Sequence, residues 1–154
     1  MPAPVQAADF AGNIAGKQYD IEVLPKITGA PIAKGDVIEY VDASDAFRTA
    51  AAASINSTYY VAKEPALSAA TQVEAITSGA VTVVADGAIA PGDAVMVSGT
   101  TAGRVAKAVI GTAAPGSIVG RYIGKAGANF RNGMPVAAAI AGDVIIIDLN
   151  RRTS

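Results

Sequence analysis

The side chains of this 154-residue sequence best suited to chemistry are its carboxylates. Thirteen Asp and Glu residues stand beside no histidine and no cysteine. That removes the commonest general base near neutral pH, the commonest metal ligand, thiolate metal sites and disulfides. An acid pair for glycoside hydrolysis would have to come from scattered positions without a local signature. Three aspartates do recur in one setting, each after a glycine and before an apolar run. They lie in Pro31-Ile32-Ala33-Lys34-Gly35-Asp36-Val37-Ile38, in Ile89-Ala90-Pro91-Gly92-Asp93-Ala94-Val95-Met96-Val97, and in Ala139-Ile140-Ala141-Gly142-Asp143-Val144-Ile145-Ile146. A calcium or sugar site needs several oxygen ligands crowded into one loop, with acids at alternate positions, and no such loop occurs. A Gly-Asp pair has a mechanical use instead. The glycine turns the backbone tightly and the carboxylate accepts from local amides before a strand begins. Asp36, Asp93 and Asp143 are therefore expected to form turns. Their unequal spacing excludes a solenoid period. Ser98-Gly99-Thr100-Thr101 offers hydroxyls with no base to activate them. Gly111, Gly116, Gly120 and Gly124 precede no Gly-Lys-Ser/Thr, so they read as turn glycines rather than a phosphate cradle.

The elements carrying these residues are short. Tyr19 to Leu24 alternates in part and predicts a half-exposed strand that stops before Pro25. Asp36 to Val41 and Thr58 to Val61 predict further strands. Asp42 to Ser54 is the only plausible helix, with Ser44 as its cap and Ala50 to Ala53 favouring it, and an ordered loop is the alternative for so short a stretch. From Thr71 the spacing becomes regular. Gln72 to Ile76, Ala80 to Ala85, Asp93 to Val97, Arg104 to Ile110, Ser117 to Ile123, Met134 to Ile140 and Asp143 to Leu149 predict seven strands. Ser78-Gly79, Asp86-Gly87, Ser98-Gly99, Gly111, Pro115-Gly116, Asn132-Gly133 and Gly142 separate them, and Asp-Gly and Asn-Gly are strong hairpin signals. No room remains for the crossover helices that a parallel sheet needs. The expected class is all-β: a small sandwich or barrel of short antiparallel strands, with an extended N-terminal arm and at most one short helix. The arm is residues 1–16 and the β domain 17–154, with 17–70 as a possible smaller subregion packed on a 71–150 core.

Composition narrows function further. Twelve basic residues nearly balance the acids, and the net charge of −1 gives no basic face for nucleic acid. Half the residues (51%) are hydrophobic, about a fifth of the chain is alanine, and only 16% are charged. Such a surface fits either burial in an oligomer or a tightly packed small-residue core. Met1 to Gln6 has neither the basic nor the apolar region of a secretory signal. No run of 18 apolar residues occurs, so no membrane-spanning helix and no membrane partner are expected. The arm spends Val5, Phe10 and Ile14 where a solvated tail would be polar, and Pro2 and Pro4 favour extended backbone. It reads as an element lying along a partner, against a frayed terminus as the plainer alternative. Arg121, Arg131, Arg151 and Arg152 concentrate toward the C-terminal part and could meet an acidic patch on a neighbour, or simply be solvated strand ends. No cofactor is implied.

One resemblance goes beyond this. Gly92-Asp93-Ala94-Val95-Met96-Val97, then Gly103-Arg104-Val105-Ala106-Lys107-Ala108, then Ile118-Val119-Gly120-Arg121-Tyr122-Ile123-Gly124-Lys125-Ala126 is similar to bacteriophage capsid cement (decoration) proteins. So is the ending from Gly133-Met134-Pro135-Val136 to Gly142-Asp143-Val144-Ile145-Ile146-Ile147. The resemblance covers about the second half of the chain. It implies a non-enzymatic structural protein on the outside of a tailed-phage head, made in the host cytoplasm. Its partners would be the major capsid protein and itself, most simply as a trimer. Pro2, Pro4, Val5, Phe10 and the four arginines are then the candidate capsid or subunit contacts. The rivals are a carbohydrate- or host-binding β module, which would usually show more exposed aromatics than 5% and no tryptophan, and a hydrolase with an unrecognised acidic site.

Overall fold

The computed structural model describes residues 14–109, 111–123, 129–131, 134–136 and 138–149, with side chains at 20–109, 111–123 and 138–149. The chain is all-β, as its spacing predicts. The strands are β1 (Ile14–Pro25), β2 (Val37–Val41), β3 (Ala46–Thr49), β4 (Tyr59–Ala62), β5 (Gln72–Val84), β6 (Ala94–Val97), β7 (Val105–Lys107), β8 (Ile118–Tyr122), β9 (Asn129–Arg131), β10 (Met134–Val136) and β11 (Val144–Leu149). All pair antiparallel in a single sheet, curled into a half-barrel, with the path β3-β2-β4-β5-β11-β8-β6-β7. β1 lies off that path on β5, and the β9–β10 pair joins at β11.

β5 is the spine. β1 covers one of its edges from Gln72 to Val81. The opposite edge is shared, with β4 meeting Ala75 and Ile76 and β11 meeting Gly79 to Val84. The sheet therefore forks at the middle of β5. Ser78-Gly79 is not the hairpin expected there, because the strand runs through it. Gly79 has φ of +99°, and the pairing with β1 skips Thr77. An extra residue with a positive-φ glycine is a β-bulge, which reverses the alternation of side chains along a strand. Ile76 and Val81, of opposite parity, thus both enter the larger core with Val37, Tyr59, Val95, Tyr122 and Ile147. A smaller core of Ile32, Ile38, Phe47, Ala62, Ala66, Val73 and Ala75 fills the other face of the β2–β4–β5 region. Only glycine holds this φ without strain, so Gly79→Ala is expected to cost about 1–3 kcal/mol. Urea unfolding checks this; an unchanged midpoint would remove the bulge from the account of the fork.

The helix expected over Asp42 to Ser54 does not form. Asp42–Ser44 makes one 3-10 turn, closed by Asp45 in the left-handed region at φ 47°. β3 follows and pairs with β2 from Ile38/Thr49 to Val41/Ala46. Helix propensity loses to tertiary contacts, since Ala46 and Phe47 are both buried in the sheet. The strand at Arg104 to Ile110 shortens to β7, and that at Met134 to Ile140 to β10. Ser98-Gly99 does lie between the paired strands β6 and β7. β9 and β10 pair from Arg131/Met134 to Asn129/Val136, and Asn132-Gly133, expected as a hairpin turn, lies outside the described residues. Asp86-Gly87 is not such a link, because β5 and β6 are not neighbours.

Candidate interaction surface

The three Gly-Asp carboxylates are structural. In each Gly-Asp unit the aspartate Oδ2 accepts from the amide three residues back: Ala33 to Asp36 at 3.0 Å, Ala90 to Asp93 at 2.9 Å, Ile140 to Asp143 at 2.9 Å. In each, the aspartate amide donates back to that residue's carbonyl at 3.1 Å. The intervening glycines have φ of 87°, 87° and 91°, which suits the third residue of a type II turn. The glycine amide then donates to, and the aspartate carbonyl accepts from, one residue of a crossing strand: Ala62, Tyr122 and Ala85 respectively. One latch is thus used three times, and the turn-forming role read from the sequence holds for all three. Burial raises the Asp36 carboxyl above its ordinary range, against hydrogen bonds from Ala33 and Thr49.

The remaining buried charges also hold loops. Glu39 is fully buried in β2. It accepts from the Ala51 amide at 3.0 Å, Ser54 Oγ at 2.8 Å, Asn56 Nδ2 at 2.8 Å and Arg48 Nε at 3.4 Å. Lys26 is 4% exposed, and its ammonium donates to the carbonyls of Ile27, Ser68 and Ala70 at 2.9 to 3.3 Å. Asp86 accepts from the hydroxyls of Ser98 and Thr100, which hold its carboxyl below the usual range, and Ser98 Oγ in turn accepts from the Thr100 and Thr101 amides. The Ser98 and Thr100 hydroxyls are thus engaged in closing a loop. Among the described residues no three His, Cys, Asp or Glu side chains gather as a metal site, and no helix is long and apolar enough to cross a membrane.

The expected turn glycines divide. Gly111 is in a turn with φ of +87°. Gly120 lies inside β8, where a Cβ would sit 2.2 Å from the Asp148 carbonyl oxygen, and Gly116 approaches the Ile55 carbonyl as closely, at 2.4 Å. Gly120 is a close-approach glycine and not a turn former, whereas Gly116 is both, since it lies in the 3-10 turn Pro115–Ser117. Gly124 is outside the described residues.

Of the expected contact residues, Arg121 is in β8, partly exposed, and donates to the Gly92 carbonyl at 2.8 Å. It braces a Gly-Asp turn, which lends it a role within the chain. Arg131 is in β9, and its side chain is not among those described. Pro2, Pro4, Val5, Phe10, Arg151 and Arg152 lie outside the described residues.

The surface that sequence reasoning underweighted is β1. Its described side chains Asp20, Ile21, Glu22 and Val23 are all exposed, so both faces of the strand are open there. Val23 is 62% exposed and Ile21 37%. Among the described residues nothing pairs with its outer edge before Lys26 bridges Phe47. The signal was present in the half-exposed reading of Tyr19 to Leu24, but the length of the strand was not. Ile55, Leu67, Val109 and Ile140 are exposed singly elsewhere, which is ordinary for a folded surface.

No family model matches this sequence, and no curated protein does. Among solved structures the chain is similar to "The crystal structure of head fiber gp8.5 N base in bacteriophage phi29", with 17% identity and a TM-score of 0.59 over 88% of this chain and 98% of that one. The likeness is one of fold.

Proposed function

We propose that this chain is a non-enzymatic structural protein of a bacteriophage particle. It sits on the outside of the icosahedral head as a cement, bridges neighbouring major capsid proteins and stabilises the shell. The observation that carries the reading is the fold likeness to the base of a phage head fiber across nearly the whole of both chains. The use of its carboxylates agrees with it, since the buried Glu39 and the partly exposed Asp36, Asp86 and Asp93 hold turns and loops. A cement needs many modest contacts rather than one strong site, and contacts repeated within an oligomer add through effective concentration. A trimer suits the local threefold positions of such a shell. The arm, from Pro2 to Phe10, is the segment proposed to reach a neighbour.

The test is an add-back. Purified protein is mixed with expanded heads that lack it and with unexpanded heads, and both are pelleted. Saturable binding to expanded heads, with raised resistance to heat, is the expected result. Failure to pellet with either form overturns the cement reading, and a glycan array then tests the host-binding alternative.

A further inference from the structure

The outer edge of β1 is the most conspicuous surface without a use inside the chain. Natural sheets keep edge strands short, or guard them with proline, charge or a covering segment. β1 is twelve residues long and meets its first proline only at Pro25. Its guards are acidic. Asp20, which also accepts from Ser78 Oγ at 2.7 Å, and Glu22 point to one face, while exposed Ile21 and Val23 point to the other. The strand is firmly placed for presentation, because the buried Lys26 ammonium and the amides of Lys26 and Ile27 tie its base to Thr71, Ser68, Ala70 and Phe47.

Charge is divided along the chain. Residues 1–77 hold nine acidic and five basic side chains, and residues 78–154 hold four acidic and seven basic. Two β1 edges paired antiparallel about Ile21 would set Asp20 and Glu22 of one copy against the same acids of the other, and like charges directly opposite destabilise a ladder. Laid against the basic second half of a neighbour, the same acids are matched. Among the described residues that half offers Lys107, 53% exposed and 3.7 Å from Asp93, with the partly exposed Arg104 and Arg121, the last already donating to the Gly92 carbonyl.

We propose that β1 docks a second copy of this chain, its acid-bearing edge against the basic second half of the neighbour. Ile21 and Val23 supply the apolar part of the contact, and the acids set its orientation and partner. The inference rests on the self-association within the proposed function, and on nothing about the shell.

The test therefore uses the full-length protein without heads, by sedimentation equilibrium and native mass spectrometry. Wild type is expected to associate, and to dissociate as salt rises from about 0.05 to about 0.5 M, as a contact between partly exposed charges should. Asp20→Lys with Glu22→Lys is expected to raise the dissociation constant by about 10- to 100-fold, as is Val23→Lys alone, with the circular dichroism spectrum unchanged. Mixing the double variant with wild type distinguishes the geometry. Contact between unlike surfaces gives a mixture no tighter than wild type alone. A mixture tighter than wild type means that β1 meets β1, and overturns the proposal. So does a wild type that stays monomeric at about 100 μM, a concentration at which contacts of even modest affinity are populated. So does a double variant that associates as wild type does. If wild type is monomeric yet still binds expanded heads, the cement reading stands and only this inference fails.

Discussion

Gly120→Ala is expected to cost this protein about 4 kcal/mol or more, in the range reserved for lesions that the surroundings cannot absorb. β8 and β11 pair through Gly120/Leu149, Arg121/Asp148 and Tyr122/Ile147. A methyl group at Gly120 would stand 2.2 Å from the Asp148 carbonyl oxygen and 3.1 Å from its carbon. The obstacle is backbone, so no rotamer change relieves it, and the strands must part. Their separation exposes Val119, Tyr122, Ile147 and Leu149, all in the larger core. With total stabilities of about 5–15 kcal/mol typical of a domain, such a variant is largely unfolded or insoluble on expression. Gly99→Ala is the control, because nothing lies within 4 Å of a Cβ there and its φ is not left-handed. It is expected to stay within about 0.5 kcal/mol of wild type. Equal melting temperatures for the two variants would show that the β8–β11 spacing is wrong.

Glu39→Ala is expected to cost about 3–5 kcal/mol, the range for removing one partner of a buried charged network. The carboxylate satisfies the Ala51 amide, the Ser54 hydroxyl and the Asn56 side-chain amide at once. Alanine leaves these donors without their acceptor, and each orphaned group adds its own desolvation penalty. The damage spreads further through Tyr59, whose buried hydroxyl contacts Ser54 Oγ at 3.2 Å and donates to the Gly116 carbonyl at 2.6 Å. Glu39→Gln keeps the shape but sets an NH2 donor against donors, so a smaller loss is expected. Denaturant unfolding gives the totals, and hydrogen exchange locates them: the Ala51 and Asn56 amides should exchange faster than those of β11. Uniform acceleration, or an unchanged midpoint for Glu39→Ala, rules the anchor out.

What could be read from the sequence follows the reach of the interactions involved. The three Gly-Asp latches close within four residues, so the residue pattern alone specifies them. β2, β4, β6, β8 and β11 were legible because each is a compact apolar run between turn residues. Ser78-Gly79 misled because a positive-φ glycine serves a turn and a bulge equally well, and only β1, continuing across the join, decides between them. The alanines at 50 to 53 favoured a helix. They form a loop held from outside the segment, by Glu39 at the Ala51 amide and by the Val37 and Ser98 carbonyls at the Ala50 and Ala53 amides. The two close-approach glycines were equally hidden, since their neighbours, Asp148 and Ile55, are remote in sequence. The candidate surface was half legible. Its alternation marked Tyr19 to Leu24 as exposed on one side, but the open second face follows from where β4 and β11 lie on β5.

The forked spine also sets the order in which the chain can be completed. β11 lies between β5 and β8, and Val144 pairs with Val84 across a long stretch of intervening sequence. Such distant pairings make folding slow, because loop closure must come before the contacts that reward it. On a ribosome, β1 to β5 emerge early, yet the edge of β5 from Gly79 to Val84 stays unpaired until residues 144–149 follow. During that interval the nascent chain offers an apolar open edge, the kind of surface that chaperones hold and that aggregates form from. Once β11 inserts, that edge closes while β1 stays open on the other side of the spine. Among the described residues, maturation therefore exchanges a hazardous edge for a guarded one, and presents β1 on a finished sheet.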